Sequence, residues 1–112
     1  MSQLKELATN DDLAALFDRS FREPVFFFKH SLTCGISSIV LDDVRELDAD
    51  IHVIVVQRSR SLSNEVESKL GVRHESPQAI VVSKGRAVYA ASHYEISGDE
   101  IAAILNGDVN EG

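Results

Sequence analysis

The sequence predicts an α/β fold with a mixed central sheet of about four strands, flanked by helices on both faces. An unbroken apolar run at residues 25–28 and a nearly continuous one at residues 51–56 have the composition of strands buried on both faces. Segments with helical spacing of apolar residues precede, separate and follow these runs. A Lys-Gly pair at residues 84–85, between two short apolar runs, indicates a hairpin.

Four helices are expected from the recurrence of apolar residues at i, i+3 or i+4. They cover residues 9–19, 34–47, about 61–70 and about 97–106. The strand–helix–strand order implies parallel pairing through a right-handed crossover. Gly71 lies where a helix end favours left-handed backbone.

Length and charge limit the classes of function. The 112 residues predict a single domain spanning 1–112, with a frayed tail at about 108–112. Eleven basic residues against eighteen acidic ones give a formal charge of −7, which disfavours nucleic acid and anionic membranes as partners. The sequence has neither an apolar stretch of about 18 residues nor the layout of a signal peptide at residues 1–7.

The chain has one cysteine, Cys34, which cannot form an internal disulfide. This fits a reducing cytosol, so a cytoplasmic location is expected. The four histidines show no ligand spacing, and no metal site is expected.

Cys34 lies where the first buried strand passes into the second helix. The Thr33 hydroxyl is expected to cap that helix, which places Cys34 in the first turn. Unpaired N–H groups and the helix macrodipole favour an anion there, and a thiolate is such an anion. The pattern therefore predicts a reactive thiol. The alternative is a small apolar cysteine packed at a helix start.

Three further residues are candidates for stabilising the thiolate. Lys29 and His30 are the nearest potential cations, and Ser37 is placed to donate a hydrogen bond from the first helical turn. Each has a structural alternative: a solvated strand-end lysine, a histidine with a satisfied hydrogen bond, and a polar residue at a helix start.

The order of elements and the position of Cys34 resemble the thioredoxin-like fold. Several strings narrow the resemblance to the YtxJ-like monothiol bacilliredoxin family, over about residues 10–105. They are Phe28-Lys29-His30-Ser31, Thr33-Cys34-Gly35-Ile36-Ser37, Ser63-Asn64-Glu65, Val72-Arg73-His74-Glu75-Ser76-Pro77-Gln78, and Ser92-His93 followed by Tyr94. The family commonly has proline after its cysteine, whereas this chain has Gly35. The difference affects the expected redox tuning of the thiol more than its identity as the nucleophile.

The resemblance implies Cys34 as the catalytic nucleophile and a cis peptide before Pro77. Ser37 stands where a Cys-x-x-Cys enzyme has its resolving thiol, so monothiol exchange is implied. Ser76 and Pro77 are expected to bind an extended substrate by strand addition, with Gly35 exposing backbone beside them. The roles of His74, Glu75 and His93 stay open between structure and cleft.

The implied reaction removes a low-molecular-weight thiol from mixed disulfides on S-thiolated cytosolic proteins. The resemblance implies bacillithiol as co-substrate, with no bound cofactor, although the sequence excludes neither glutathione nor coenzyme A. One alternative is a redox-sensing or adaptor domain that becomes capped at Cys34. A thiol peroxidase also needs a base or arginine arranged for peroxide, which the sequence does not show.

Overall fold

The computed structural model of the protein describes residues 3–107. Its strands and helices alternate along most of the chain. In chain order they are β1 (Gln3–Glu6), α1 (Asn10–Arg19), β2 (Val25–His30), α2 (Gly35–Val44), β3 (Asp50–Val55), α3 (Arg60–Leu70), β4 (Gln78–Ser83), β5 (Arg86–Ser92), a 3-10 turn (His93–Glu95) and α4 (Gly98–Leu105). The predicted frayed tail at 108–112 lies outside the described residues.

The strands form one mixed sheet in the order β1-β3-β2-β4-β5. Strand β3 pairs in parallel with both β1 and β2, whereas β4 runs antiparallel to β2 and to β5. The predicted parallel crossover and the hairpin at residues 84–85 are confirmed. Because β2 and β3 are parallel, their carboxyl ends meet at one edge of the sheet, where α2 and β4 also begin.

The structure has one strand more than the expected count of about four. Strand β1 was missed because all four of its residues are exposed and it carries a single apolar side chain, Leu4. Its hydrogen bonds to β3, with Leu4 opposite Ile51, come from the main chain. Neither an apolar run nor a periodicity in the sequence indicates such a strand.

The helices are confirmed, with changes at their ends. Helix α1 is capped by Thr9 in a capping box with Asp12, and α3 ends at Gly71 with a φ of 66°. Helix α2 starts at Gly35 and ends at Val44, shorter than the predicted 34–47. Helix α3 starts at Arg60, just before the serines expected to cap it.

The side chains of β2 alternate between two apolar cores. Phe27 packs in the core that includes Leu62 and Val66 of α3, and Phe28 in the core that includes Val40 and Val44 of α2. The same alternation sends Lys29 to the α3 face and His30 to the α2 face. Within residues 3–107, no helix has the length and apolar character needed to span a membrane.

Candidate active site

Cys34 is the N-cap residue of α2, so the helix begins one residue later than predicted. Its backbone is extended, with φ −107° and ψ 116°, and its side chain is half-buried and makes no capping hydrogen bond. Thr33 therefore does not cap the helix, which corrects the sequence-based expectation. Its hydroxyl lies instead 3.3 Å from the Ser31 hydroxyl and accepts from the Gln57 amide at 3.4 Å.

The start of α2 presents unpaired main-chain donors next to the thiol. Cys34 O accepts from the N–H groups of Ser37 and Ser38, whereas the N–H groups of Gly35 and Ile36 have no main-chain acceptor within residues 3–107. Such groups, at the positive end of the helix dipole, favour an anion. The unpaired donors expected at the helix start are therefore present, although Cys34 occupies the N-cap and not the first turn.

Ser37 is fully buried in the first turn of α2. Its Oγ accepts from Ser31 N at 3.1 Å and lies 2.7 Å from His30 Nδ1. No hydrogen bond joins Ser37 to the Cys34 sulfur in the described chain. The structure thus gives Ser37 a bridging role between β2 and α2 and not the predicted contact with the thiolate.

His30 does not supply the cation that the sequence suggested. Burial, and secondarily the charge of Arg58, lower the pKa of His30 below its ordinary value of 6.5. The ring is therefore neutral at pH 7 and meets Ser37 as a hydrogen-bonding group. His30 thus contacts Ser37 in the first turn of α2, which agrees with the alternative of a satisfied hydrogen bond and not with a charged partner of the thiolate.

Lys29 lies on the other side of the sheet from α2. Its Nζ donates to Ser63 O at 3.0 Å and lies 3.1 Å from His74 Nδ1. The residue is 1% exposed, so the solvated strand-end alternative is wrong as well. The amine does not reach the thiol because successive side chains of a strand point to opposite faces.

Gln57 holds the segment before Cys34, a role that was not predicted from the sequence. Its Nε2 donates to Ser31 Oγ at 2.9 Å and its Oε1 accepts from Leu32 N at 3.1 Å. Gln57 follows β3, whose carboxyl end is beside that of β2. The parallel pairing of these two strands was the one available signal that residue 57 would approach residues 31–33.

The peptide bond between Ser76 and Pro77 is cis, as the resemblance implied. Pro77 O accepts from His93 N at 3.0 Å. By contrast, Ser76 N and O make no main-chain hydrogen bond within residues 3–107, and the Ser76 hydroxyl is buried without a partner. Ser76 thus has three unpaired polar groups at the edge of the sheet where α2 begins.

Gly35 has open space around it, since a Cβ built there meets no atom within 4 Å. His93 is exposed in a left-handed conformation with a φ of 56°. Across residues 3–107, no three His, Cys, Asp or Glu side chains gather closely enough to hold a metal ion.

Known proteins resemble this chain in both sequence and fold. A structure described as having a thioredoxin fold, and named as a candidate oxidoreductase, is 30% identical with a TM-score of 0.81, covering 90% of this chain and 92% of its own. Reduced Schistosoma mansoni thioredoxin pre-protein is 16% identical (TM-score 0.71, 96% and 99% covered). Fasciola hepatica thioredoxin is 15% identical (TM-score 0.63, 91% and 96% covered).

The two thioredoxins establish the thioredoxin-like fold alone, because their identities are low. The family is established by a profile, monothiol bacilliredoxin BrxC, that matches residues 5–101. That range contains the cysteine at the start of α2, the serine in place of a second thiol, and the loop with the cis-proline. The family model and the 30% identical neighbour together indicate a thiol redox protein, and the chain belongs to the monothiol bacilliredoxin BrxC family.

Proposed function

We propose that this protein removes a low-molecular-weight thiol, bacillithiol, from mixed disulfides on cytosolic proteins. The observation that carries the proposal is Cys34 beside the unpaired N–H groups of Gly35 and Ile36, with a hydroxyl at position 37 in place of a second thiol. This arrangement places unpaired donors beside the thiol and gives it no second thiol with which to form an internal disulfide.

The reaction follows from the chemistry of thiol–disulfide exchange. The Cys34 thiolate attacks the sulfur of the small thiol in the mixed disulfide. A new S–S bond forms to Cys34, the old one breaks, and the electron pair leaves on the sulfur of the substrate protein, which is thereby reduced. A second small thiol, as thiolate, then attacks the sulfur of the cap. It releases the Cys34 thiolate and leaves as the symmetrical disulfide.

Ser76 supplies the contact for the substrate chain. Its N–H and C=O have no main-chain partner within the described residues, so an extended segment of substrate can pair with them by strand addition. The buried Ser76 hydroxyl is a third polar group without a hydrogen-bond partner in the described residues. Leaving such a group unpaired costs about 1–3 kcal/mol, which a bound polar group offsets.

Membership of the bacilliredoxin family supports bacillithiol as the small thiol. The identity of the thiol is tested by offering two substrates. A model protein S-thiolated with bacillithiol, and the same protein carrying glutathione, are each incubated with the reduced protein and followed by intact mass. We expect the cap to move to Cys34, faster for bacillithiol, while the Cys34→Ser variant takes up none.

A Ser37→Cys variant provides the matched control for the monothiol step. The wild-type protein should accumulate with the cap attached until small thiol is added, because a hydroxyl cannot expel it. In the variant, the added thiol lies one helical turn from Cys34 and should release the cap by forming an internal disulfide.

The outcomes separate the candidate functions. Faster transfer of glutathione than of bacillithiol would reject the proposed co-substrate but keep the reaction. If neither cap leaves its protein over hours while a glutaredoxin clears the glutathione substrate, the reductase proposal is wrong. Capping of Cys34 by free small disulfide without turnover would then favour the redox-sensing alternative.

A further inference from the structure

Lys29 is buried within the sheet and has no carboxylate partner in the part of the chain that the structure describes. The residue is 1% exposed, and none of the ion pairs formed within residues 3–107 includes it. A lysine is almost never fully buried unless it is paired, because removing an ammonium group from water is costly. The partners of Lys29 are instead a main-chain carbonyl, Ser63 O, and a histidine ring, His74.

The ring of His74 receives two contacts at the same nitrogen. Nδ1 lies 3.1 Å from Lys29 Nζ and 3.1 Å from Ser63 Oγ. An ammonium group can only donate, so Nδ1 is the acceptor and the ring proton is on Nε2. Burial, and secondarily the charge of Lys29, lower the pKa of His74 below 6.5, in agreement with a neutral ring.

His74 belongs to the loop that leads from α3 to the cis-proline. No main-chain hydrogen bond holds residues 72–76 to the rest of the described chain. Side chains hold the loop instead: Glu67 Oε2 accepts from His74 N at 2.8 Å, and Gln78 Nε2 donates to Arg73 O at 2.9 Å.

Lys29 adds a contact between this loop and the neighbouring strand β2, beside those that Gln78 of β4 makes. It is on β2 opposite Gln78, the first residue of β4, and its amine reaches His74 across the start of that strand. The charge of Lys29 therefore bears on the loop that ends in Ser76 and Pro77. Within residues 3–107 its amine contacts Ser63 and His74 and not the thiol.

We propose that Lys29 is a positioning residue that acts through His74 to hold the loop containing Ser76 in place for the substrate chain. This inference rests on the proposed function, since it assigns to Ser76 the contact with an S-thiolated protein. A small mixed disulfide has no extended chain to pair with Ser76, so its exchange depends on Cys34 alone.

The kinetic test compares these two substrates under steady-state turnover with small thiol. Lys29→Met retains the length of the side chain and removes the amine. We expect it to raise KM for an S-thiolated protein about tenfold, the effect of losing one hydrogen bond to a charged group, at unchanged kcat. The rate with a small mixed disulfide bearing the same cap should not change. Lys5→Met, an exposed lysine on β1, is the control and should match the wild type.

Substitutions at His74 provide a second series that leaves Lys29 intact. His74→Leu removes the acceptor and should reproduce the rise in KM, whereas His74→Asn places an amide oxygen near the position of Nδ1 and should restore most of the affinity. Should Lys29→Met fail to fold, this pair still decides the proposal. The proposal would be overturned if a variant lost activity equally with the S-thiolated protein and the small mixed disulfide. Equal KM values for His74→Asn and His74→Leu would overturn it as well.

A readout independent of activity distinguishes this inference from the proposed function. Nitrogen NMR of the wild-type ring should show His74 with its proton on Nε2, and Lys29→Met should accelerate amide exchange at His74 and Glu75. If the wild-type protein removes neither glutathione nor bacillithiol from its substrates, the proposed function is wrong. The ring NMR and the amide exchange still test the contact between Lys29 and His74. An Nδ1–H ring, or unchanged amide exchange, would contradict the inference.

Discussion

His30 Nδ1 and Ser37 Oγ lie 2.7 Å apart, and the same hydroxyl accepts a hydrogen bond from Ser31 N at 3.1 Å. One buried oxygen thus joins the end of β2 to the first turn of α2. The turn that it closes contains Cys34, whose main-chain N–H in turn lies 3.4 Å from Ser31 O. The placement of the thiol therefore depends on a side chain that never contacts it.

Ser37→Ala should lower the free energy of unfolding by about 1–3 kcal/mol, because it leaves the Ser31 N–H buried without an acceptor. Urea denaturation followed by circular dichroism measures the loss. Ser38→Ala is the control, since Ser38 is exposed on the same helix and its removal should change stability by less than about 0.5 kcal/mol. Equal midpoints for the two variants would show that the bridge contributes nothing.

Local patterns in the sequence were sufficient to predict most of the fold and the position of Cys34. The buried strands have apolar runs, and the helices have periodic apolar faces, so both are visible within short windows. Contacts between residues that are distant in the sequence are not visible within such windows. Lys29 meets Ser63 and His74 across 34 and 45 residues of sequence, and no periodicity relates these positions.

The sequence already argues against the prediction that Lys29 and His30 both stabilise the thiolate. Adjacent residues of a strand face opposite sides of the sheet, so Lys29 and His30 cannot both approach one helix. The charge of His30, by contrast, depends on burial and on Arg58, which only the folded structure brings near it.

Gln57→Ala should loosen the segment before Cys34, because the amide of Gln57 bonds both Ser31 Oγ and Leu32 N. We expect a loss of about 1 kcal/mol in unfolding free energy and faster hydrogen exchange at Leu32 N. Gln57→Glu keeps an acceptor for Leu32 N and loses the donated bonds, so Leu32 should stay more protected than in the alanine variant. If the Leu32 N–H of the Gln57→Ala variant exchanges at the wild-type rate, Gln57 does not have this role.

Gly35→Pro should stabilise the protein by about 0.4–1 kcal/mol by restricting the unfolded chain. Gly35 is the first residue of α2, its N–H has no main-chain acceptor within residues 3–107, and a Cβ there meets no atom. Cys34 before it already has the extended backbone that a proline requires of its predecessor. The thermal midpoint measures the gain. Gly71→Pro should lower that midpoint, because Gly71 has a φ of 66° and donates to Glu67 O; a decrease for Gly35→Pro as well would contradict the prediction.

The buried amine of Lys29 should make stability rise with pH in the alkaline range. Burial lowers the pKa of Lys29 from 10.5 to about 8, with the charge of Glu67 opposing part of the decrease. Between these two values the unfolded chain binds more protons than the folded one, so the free energy of unfolding increases as pH rises. His74, the other titratable group in contact with the amine, is already neutral there.

Urea denaturation of the wild type and of Lys29→Met at several pH values from 7 to 10 isolates this contribution, because other groups cancel in the difference. The wild type should gain stability relative to the variant above about pH 8. A difference that stays flat or falls across this range would show that the amine keeps an ordinary pKa and is not desolvated by the fold.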